Sequence, residues 1–231
     1  MRKLAPGMAI ATGVALAALG VPVAHADVIS IGFQQAGVNG GAITTENTGS
    51  STVTVSGTAY GTWSINTVTA FDTLGLGGLP GLLNSNSINT SSQAAGTLTV
   101  WITAQGLTTP VSVLDILSSF TSNNLTMGVT GAQEYTYVSA ANALYGGASL
   151  SAASFSGPSN TTQTSSATAV SPFLSGPFSV TEEYVITANG QGGNANLTID
   201  MAAVPEPESL AILASGLLAL TMMQWRRRQS G

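Results

Sequence analysis

The chain has 231 residues, of which 6% are charged, against roughly 25% in an ordinary globular domain. Its basic residues are Arg2, Lys3 and Arg226 to Arg228, so every charged side chain from Asp27 to Trp225 is acidic. Nucleic-acid binding needs Lys or Arg to neutralise phosphates, and this region contains neither. It also lacks His and Cys. This composition excludes hydrolase nucleophile pairs, His or Cys zinc sites and lysine-containing phosphate loops from the region.

Residues 1–26 have the three parts of a secretory signal peptide. Arg2 and Lys3 precede an apolar stretch that runs from about Met8 to Leu19. Small residues at Ala24 and Ala26 then predict cleavage by signal peptidase after Ala26. A first transmembrane helix is the alternative, and the shortness of the run and its glycines disfavour it. We therefore expect an exported protein.

Residues 27–203 form the predicted body, in which short β-branched segments alternate with clusters of Gly, Asn, Ser and Pro. Residues 52–56 alternate strictly between polar and apolar types, and residues 97–103 do so except at Trp101. A period of two is typical of half-buried strands. Nine strands are predicted in chain order, at residues 28–33, 52–56, 63–71, 97–103, 125–129, 135–138, 148–155, 178–188 and 196–202.

Three other segments of the body receive a different prediction. Apolar residues at Val113, Leu114, Ile116, Leu117 and Phe120 have helical spacing, so residues 111–120 are a candidate helix, and residues 140–145 are a candidate helical turn. Residues 74–83 are rich in Gly and Leu and predict an apolar loop, either packed under the body or exposed as a contact site. The polar stretch 159–166 predicts a loop followed by a strand.

Many short strands separated by turn signals predict an all-β fold. The specific expectation is one antiparallel β-sandwich, jelly-roll-like or Ig-like. No cysteine is available for disulfides, so the stability of the fold must come from its hydrophobic core.

Residues 204–231 have an ordered set of features. Val204-Pro205-Glu206-Pro207 precedes an apolar run that begins at Ser209 and ends at Trp225, and Arg226, Arg227 and Arg228 follow at once. As a helix, these seventeen residues would extend about 25 Å, which is near the lower limit for a bilayer core of roughly 30 Å. We expect a single transmembrane helix with the arginines as its cytoplasmic anchor. A buried helix of the body is the alternative.

This order of motif, helix and arginines resembles the PEP-CTERM sorting signal of Gram-negative bacteria. The resemblance implies that exosortase, a membrane-embedded transpeptidase-like enzyme, recognises Pro205-Glu206-Pro207 and removes the tail. It also implies that the protein belongs to the extracellular matrix or biofilm of a bacterium that makes exopolysaccharide. The signal covers only residues 204–231, so it indicates where the protein is sent and how it is processed, and does not indicate what the body does.

Aromatic side chains of the body are candidates for stacking on sugar rings. Trp63, Trp101 and Tyr135 are the main candidates, and the alternation of residues 97–103 places Trp101 with the threonines, opposite Val100. Packing against neighbouring strands is the more frequent role of a strand tryptophan and is the alternative. Further candidates are Tyr60, Tyr137 and Tyr145.

The carboxylates of the body are candidates for catalysis and for calcium binding. Glu182 and Glu183 are adjacent on a predicted strand and should point to opposite faces, so an acid pair for glycoside hydrolysis would have to combine distant residues such as Glu134 and Glu182. No calcium-loop motif is present, although a bound structural ion remains an alternative. No catalytic, cofactor-binding or metal-binding residue is assigned.

These observations predict a non-catalytic exported protein. It is transiently anchored in the inner membrane and then held at the cell surface or in an extracellular matrix with exopolysaccharide. A carbohydrate-binding module with a defined aromatic site is the alternative, and a glycoside hydrolase is a weaker one. Self-association is also predicted, because the strands lack the lysines that often block edge pairing.

Overall fold

The computed structural model describes residues 26–72, 79–190 and 192–204, together with Gly216. These residues form twelve β-strands and one short 3₁₀ turn at Asn39–Gly41. The strands are β1 Val28–Gln34, β2 Thr44–Gly49, β3 Thr52–Tyr60, β4 Trp63–Phe71, β5 Gly81–Ser92, β6 Gly96–Leu107, β7 Asp115–Leu125, β8 Val129–Ser139, β9 Ala148–Ser156, β10 Gln163–Val170, β11 Phe178–Ala188 and β12 Asn194–Val204.

The strands form two six-stranded sheets that face each other. Sheet A has the order β2-β1-β6-β11-β8-β9, and sheet B has the order β10-β7-β12-β5-β4-β3. All strand pairs are antiparallel. The prediction of an all-β antiparallel sandwich is therefore confirmed.

The hydrophobic core lies between the two sheets and follows from side-chain alternation. In β6, Leu98, Val100 and Ile102 are buried, whereas Thr99 and Trp101 lie on the outer face. Strand β12, one of the two central strands of sheet B, contributes Leu197 and Ile199 from the opposite side. Because successive residues of a strand point to opposite faces, strands such as β6 and β12 supply one side to the core and the other to the outer face.

The two helix predictions are wrong. Residues 115–125 form β7, whose inward positions include Ser118 and Ser122 as well as Ile116 and Phe120. The buried Ser118 hydroxyl is 2.9 Å from the Thr136 hydroxyl, so this polar group has a hydrogen-bond partner in the core. A polar residue at an inward position breaks the alternation of polar and apolar residues by which a strand is recognised in the sequence. Residues 140–145 form turns and bends, with positive φ at Asn142 and Tyr145.

Several strand predictions also need correction. The predicted strand 125–129 is the turn from β7 to β8, since β7 ends at Leu125 and β8 begins at Val129. Strands β2 and β5 were missed. Of the predicted apolar loop 74–83, residues 74–78 lie outside the described residues, and Gly81 to Leu83 belong to β5. The polar composition of these two strands conceals them, because β2 is Thr-Thr-Glu-Asn-Thr-Gly and most of β5 is Ser, Asn and Thr.

Among the described residues, no helix is long and apolar enough to cross a membrane. The predicted transmembrane segment that begins at Ser209 lies outside the described residues apart from Gly216.

Candidate functional site

The outer face of sheet A brings two of the predicted sugar-stacking residues into one line. Trp101 on β6 lies directly beside Glu183 on β11, and Glu183 lies directly beside Tyr135 on β8. On the other side, Trp101 is aligned with Gly32 of β1. At about 4.8 Å between adjacent strands, the backbones of Trp101 and Tyr135 are about 10 Å apart, with a carboxyl group between them.

Two further tyrosines complete this face. The Tyr137 ring stacks near Trp101, with ring centroids 6.3 Å apart and an interplanar angle of 25°. The Tyr145 ring is tilted by 54° against Trp101 at a centroid distance of 6.2 Å. Trp101, Tyr135, Tyr137, Tyr145 and Glu183 are called the aromatic face below.

Gly32 makes room for Tyr145. A Cβ atom at Gly32 would lie 2.5 Å from Tyr145 Oη, which is far inside van der Waals contact. The Tyr145 hydroxyl is 2.9 Å from the Thr45 hydroxyl on β2, and the Tyr145 backbone N–H donates to the Thr103 hydroxyl over 3.2 Å. The glycine therefore allows the 140–147 connection to fold over the sheet and to bring Tyr145 beside Trp101.

Hydrogen bonds orient the polar groups of the aromatic face. Trp101 Nε1 donates to Gln34 Oε1 over 3.1 Å, and Tyr137 Oη donates to Glu183 Oε2 over 2.6 Å. Burial raises the pKa of Glu183, and the hydrogen bond from Tyr137 opposes this rise. Burial and the bond to Glu183 both raise the pKa of Tyr137. The face thus combines half-buried rings with one oriented carboxyl group, a pattern suited to contact with sugar rings and hydroxyls.

Trp63 does not belong to this face, and the prediction that it stacks on a sugar is wrong in this structure. Its side chain is 0% exposed in the core between the sheets. Tyr60 is also buried, and the centroid of its ring lies 5.6 Å from the centroid of the Phe33 ring. At these inward positions neither ring has open surface for a ligand, so Trp63 and Tyr60 pack in the core.

Glu134 and Glu182, the distant residues that could form an acid pair, both point inward. Glu182 and Glu183 lie on opposite faces of sheet A, as predicted, and Glu182 is fully buried. Glu134 is buried as well, at the position beside Tyr184. The Ser85 hydroxyl of sheet B donates to Glu182 Oε2 and is hydrogen-bonded to the Tyr184 hydroxyl. The structure therefore brings Glu134 and Glu182 together, but inside the sandwich.

Burial controls the protonation of these interior groups. It raises the pKa of Glu134 to about 7, against an opposing hydrogen bond from Ser151. It raises the pKa of Glu182 well above its ordinary value, and the negative charges of Asp200 and Glu134 raise it further. Among the described atoms, Oε1 of Glu134 and Oε1 of Glu182 have no hydrogen-bond partner. The described carboxylates contain no group of three or more that could hold a metal ion.

The outer face of sheet B has a different chemistry. Asn196 on β12 is aligned with Asn89 on β5 and with Asn124 on β7. Asn123 Nδ2 donates to Asn196 Oδ1, and Asn66 Nδ2 donates to Asn89 Oδ1, each over 3.0 Å. This row presents uncharged donors and acceptors. Its alignment was not predicted, since a single sequence gives no strand register.

The predicted processing residues lie at or beyond the limits of the described chain. Ala26 is buried, and its backbone N–H donates to Asp72 Oδ2 over 2.9 Å. Val204 ends β12. The remaining residues of the predicted cleavage site, sorting motif and arginine anchor are outside the described residues: Ala24, Pro205, Glu206, Pro207, Arg226, Arg227 and Arg228.

Sequence reasoning missed several partners of the aromatic face. Gln34 and Thr45 come from β1 and β2, far from Trp101 in the sequence. The signal that could have suggested Glu183 was already present, because the predicted alternation put it on the face opposite Glu182. Its position between Trp101 and Tyr135 depends on the order of strands in the sheet, which the sequence does not contain.

Comparison with solved structures finds similarities at low identity. TmCBM61 in complex with β-1,4-galactotriose is 12% identical, with 55% of this chain and 72% of that chain covered and a TM-score of 0.32. A structure of carbohydrate-binding modules from the β-sandwich superfamily is 13% identical, with coverages of 71% and 68% and a TM-score of 0.34. A structure of infectious bursal disease virus, Gx strain, is 15% identical, with a TM-score of 0.35. That match covers 78% of this chain and 56% of the virus chain.

These TM-scores are too low to transfer a ligand or an activity. The search of curated proteins finds no match. A family model does match the C-terminal region: residues 203–228 correspond to the PEP-CTERM protein-sorting motif. This match confirms the resemblance that the Pro-Glu-Pro motif, the apolar run and the arginines indicated. The chain therefore carries a PEP-CTERM sorting motif, which indicates an exported protein that is targeted to the cell surface.

Proposed function

We propose that this chain is a non-catalytic protein of the cell surface or extracellular matrix, processed by exosortase and bound to neutral polysaccharide through the aromatic face. The sorting motif supports the route of export. The observation that carries the polysaccharide contact is the line of Trp101, Glu183 and Tyr135 across three adjacent strands. In this role, sugar rings stack on the aromatic rings, and sugar hydroxyls donate to the Glu183 carboxylate.

The charge of the body supports a neutral polymer as the ligand. No Lys, Arg or His lies between Asp27 and Trp225, so the body has no cation to pair with a uronate or sulfate group. Glu183 adds a negative charge in the middle of the aromatic face and repels an anionic chain at short range. The amide row at Asn89, Asn196 and Asn124 offers further uncharged hydrogen-bonding groups on the opposite side of the sandwich.

The positions of the carboxyl groups support a non-catalytic role. Glycoside hydrolysis uses two carboxyl groups that flank the scissile bond. Glu134 and Glu182 are buried between the sheets, where a polysaccharide cannot reach them. Glu183 is on the surface, and its neighbours across the sheet are the aromatic residues Trp101 and Tyr135. This arrangement supports binding in preference to cleavage.

The polysaccharide contact is tested with Trp101→Ala. We expect binding to a panel of immobilised neutral polysaccharides to weaken about tenfold or more, which corresponds to about 1.4 kcal/mol, because a central ring is removed. Phe173→Ala is the matched control, since Phe173 is an exposed aromatic residue that lies outside the aromatic face. Equal binding by the wild type and both variants would contradict a role for this face.

The sorting step is tested separately by mass spectrometry of the extracellular protein. We expect a mature chain that begins at Asp27 and ends near the Pro-Glu-Pro motif, without Arg226 to Arg228. Replacement of Pro205 and Pro207 by Ala should leave the tail attached, because the predicted recognition motif is lost. An extracellular chain of wild-type sequence that still ends at Gly231 would rule out sorting by tail removal.

A further inference from the structure

Exposed apolar side chains are concentrated at one end of the sandwich. Among the described residues, seven large apolar side chains are exposed, and six of them lie at the end where β6 and β12 finish and where β1, β7 and β11 begin. The seventh, Met127, lies at the opposite end, in the turn between β7 and β8. The six are Val28, Val111, Val113, Leu144, Val170 and Phe173.

The strand register places four of these residues beside the point where the chain leaves the body. Asp115, at the start of β7, is aligned with Val204 on one side and with Val170 on the other. Beyond this row, segments 111–114 and 171–174 continue side by side. Two hydrogen bonds join Ser112 and Leu174, with N–H to carbonyl oxygen distances of 2.7 and 2.9 Å.

The direction of β12 determines where the following residues begin. Because β12 is antiparallel to β7, the chain after Val204 leaves from the end of sheet B that carries segments 111–114 and 171–174. Val170 and Phe173 are 66% and 65% exposed at this end. The name apolar rim is used below for Val111, Val113, Val170 and Phe173.

The short connection restricts how far the apolar rim can be from the predicted membrane segment. Four residues, Pro205 to Glu208, separate Val204 from Ser209. Fully extended, the five Cα-to-Cα steps from Val204 to Ser209 span at most about 18 Å. The polar headgroup layer of a bilayer leaflet is about 5–7 Å thick. With residues 209–225 inserted, the apolar rim is therefore held within reach of the lipid interface.

We infer that the apolar rim rests on the lipid surface before the tail is removed. This inference rests on the proposed processing by exosortase, for which we expect residues 209–225 to be inserted in the membrane. Asp27 and Asp115 lie at the same end, and no basic residue occurs between Asp27 and Trp225, so the contact suits zwitterionic lipid and gains nothing from anionic headgroups. Four side chains bury little area, but the tether raises their effective concentration at the membrane. Cleavage at the Pro-Glu-Pro motif removes the tether and frees the body.

The absence of cysteine from the chain allows a clean test with single labels. The full-length protein is reconstituted into vesicles of phosphatidylcholine and phosphatidylethanolamine that contain a nitroxide-labelled lipid. An environment-sensitive fluorophore is attached to Phe173→Cys in one preparation and to Met127→Cys in another. Met127 is the matched control because it is 81% exposed at the opposite end. We expect several times stronger quenching and a blue-shifted emission for the label at position 173.

A third label separates failure of this inference from failure of the proposed function. A fluorophore at Gly216→Cys reports whether the apolar run enters the bilayer. If position 216 is quenched by lipid and position 173 remains as aqueous as position 127, the contact with lipid is refuted while insertion stands. If position 216 is also aqueous, the membrane stage of the proposed function fails. If label 173 is shielded equally in lipid-free detergent solution and the shielding disappears on dilution, the rim binds a second copy, which overturns the lipid contact.

Discussion

Glu182 and Glu183 are consecutive residues of β11 with opposite environments. Glu182 is fully buried between the sheets, where it accepts a hydrogen bond from Ser85. Glu183 lies on the outer face of the same sheet, where it accepts a hydrogen bond from Tyr137 beside Trp101. A glutamate side chain is thus an interior group at position 182 and a candidate ligand-binding group at position 183. The alternation of the strand decides between these roles.

The two tryptophans of sheets A and B repeat this contrast. Trp63 is 0% exposed in the core, whereas Trp101 is partly exposed on the aromatic face. Among described residues, Trp63 Nε1 has no hydrogen-bond partner, while Trp101 Nε1 donates to Gln34. Residue type alone therefore does not identify a binding ring in this fold. The inner or outer position in the strand does.

The largest difference is expected between Trp63→Ala and Trp101→Ala. Removal of a buried tryptophan costs about 3–5 kcal/mol, because the cavity collapses only in part. Removal of the partly exposed Trp101 should cost about 1 kcal/mol. Urea denaturation measures both free energies of unfolding. Similar losses for the two variants would contradict the assignment of one tryptophan to the core and the other to the surface.

The next largest effect is a dependence of stability on pH. The pKa of Glu134 is about 7 in the folded protein, against an ordinary value of 4.5. Between these pH values the folded state binds more protons than the unfolded state, so stability falls as pH rises. The loss from Glu134 is about 3 kcal/mol, because one pKa unit corresponds to about 1.4 kcal/mol. Asp200, whose pKa burial raises to about 6, contributes in the same direction, as does Glu182, whose pKa burial raises well above its ordinary value.

Glu134→Gln sharpens this test. The variant has no titrating group at position 134, so its free energy of unfolding should fall less steeply from pH 4.5 to 7. The region from Asp27 to Trp225 has no basic residue, so no ion pair within it is lost on acidification. Unfolding curves measured across this range should separate the two proteins most clearly near pH 7, where the buried Glu134 carboxyl ionises and Gln stays neutral. Parallel curves would mean that Glu134 is not buried as described.

The sequence allowed the fold class to be predicted because alternation is clear where inward residues are apolar. Strand β6, with Leu98, Val100 and Ile102, was identified for this reason. Strand β7 was mistaken for a helix because Ser118 and Ser122 take inward positions, and their hydroxyls interrupt the apolar pattern. Strand β5 was missed because Asn and Ser dominate it. Polar residues in the core and at the surface were thus the common cause of error.

The candidate site was predictable only in part. The alternation of β6 correctly placed Trp101 on the outer face, away from Val100. The neighbours of Trp101 across the sheet could not be deduced, because β6 pairs with β1 and β11, which are distant in sequence. Trp63 illustrates the remaining ambiguity. Its strand, β4, was predicted correctly, but the inward direction of the Trp63 side chain was not. Strand order and register are the missing information.

The smallest effect concerns the hydrogen bond within the aromatic face. Tyr137→Phe removes the hydroxyl that donates to Glu183 over 2.6 Å. This hydrogen bond lowers the pKa of Glu183 against the effect of burial, so its loss should raise that pKa further. The stability should fall by about 0.5–1 kcal/mol, since the bond lies at a partly exposed site. Titration of the Glu183 carboxyl followed by NMR measures the change in pKa.

Tyr135→Phe is the matched control for this measurement. Tyr135 lies directly beside Glu183 in the sheet, but its hydroxyl donates to Gln133 Oε1 over 3.2 Å. We therefore expect a smaller change in the pKa of Glu183 for Tyr135→Phe than for Tyr137→Phe. If the two variants shift the pKa equally, the carboxyl group is not oriented by Tyr137. Glu183 would then lack a fixed orientation, and the aromatic face would lose its one oriented carboxyl group.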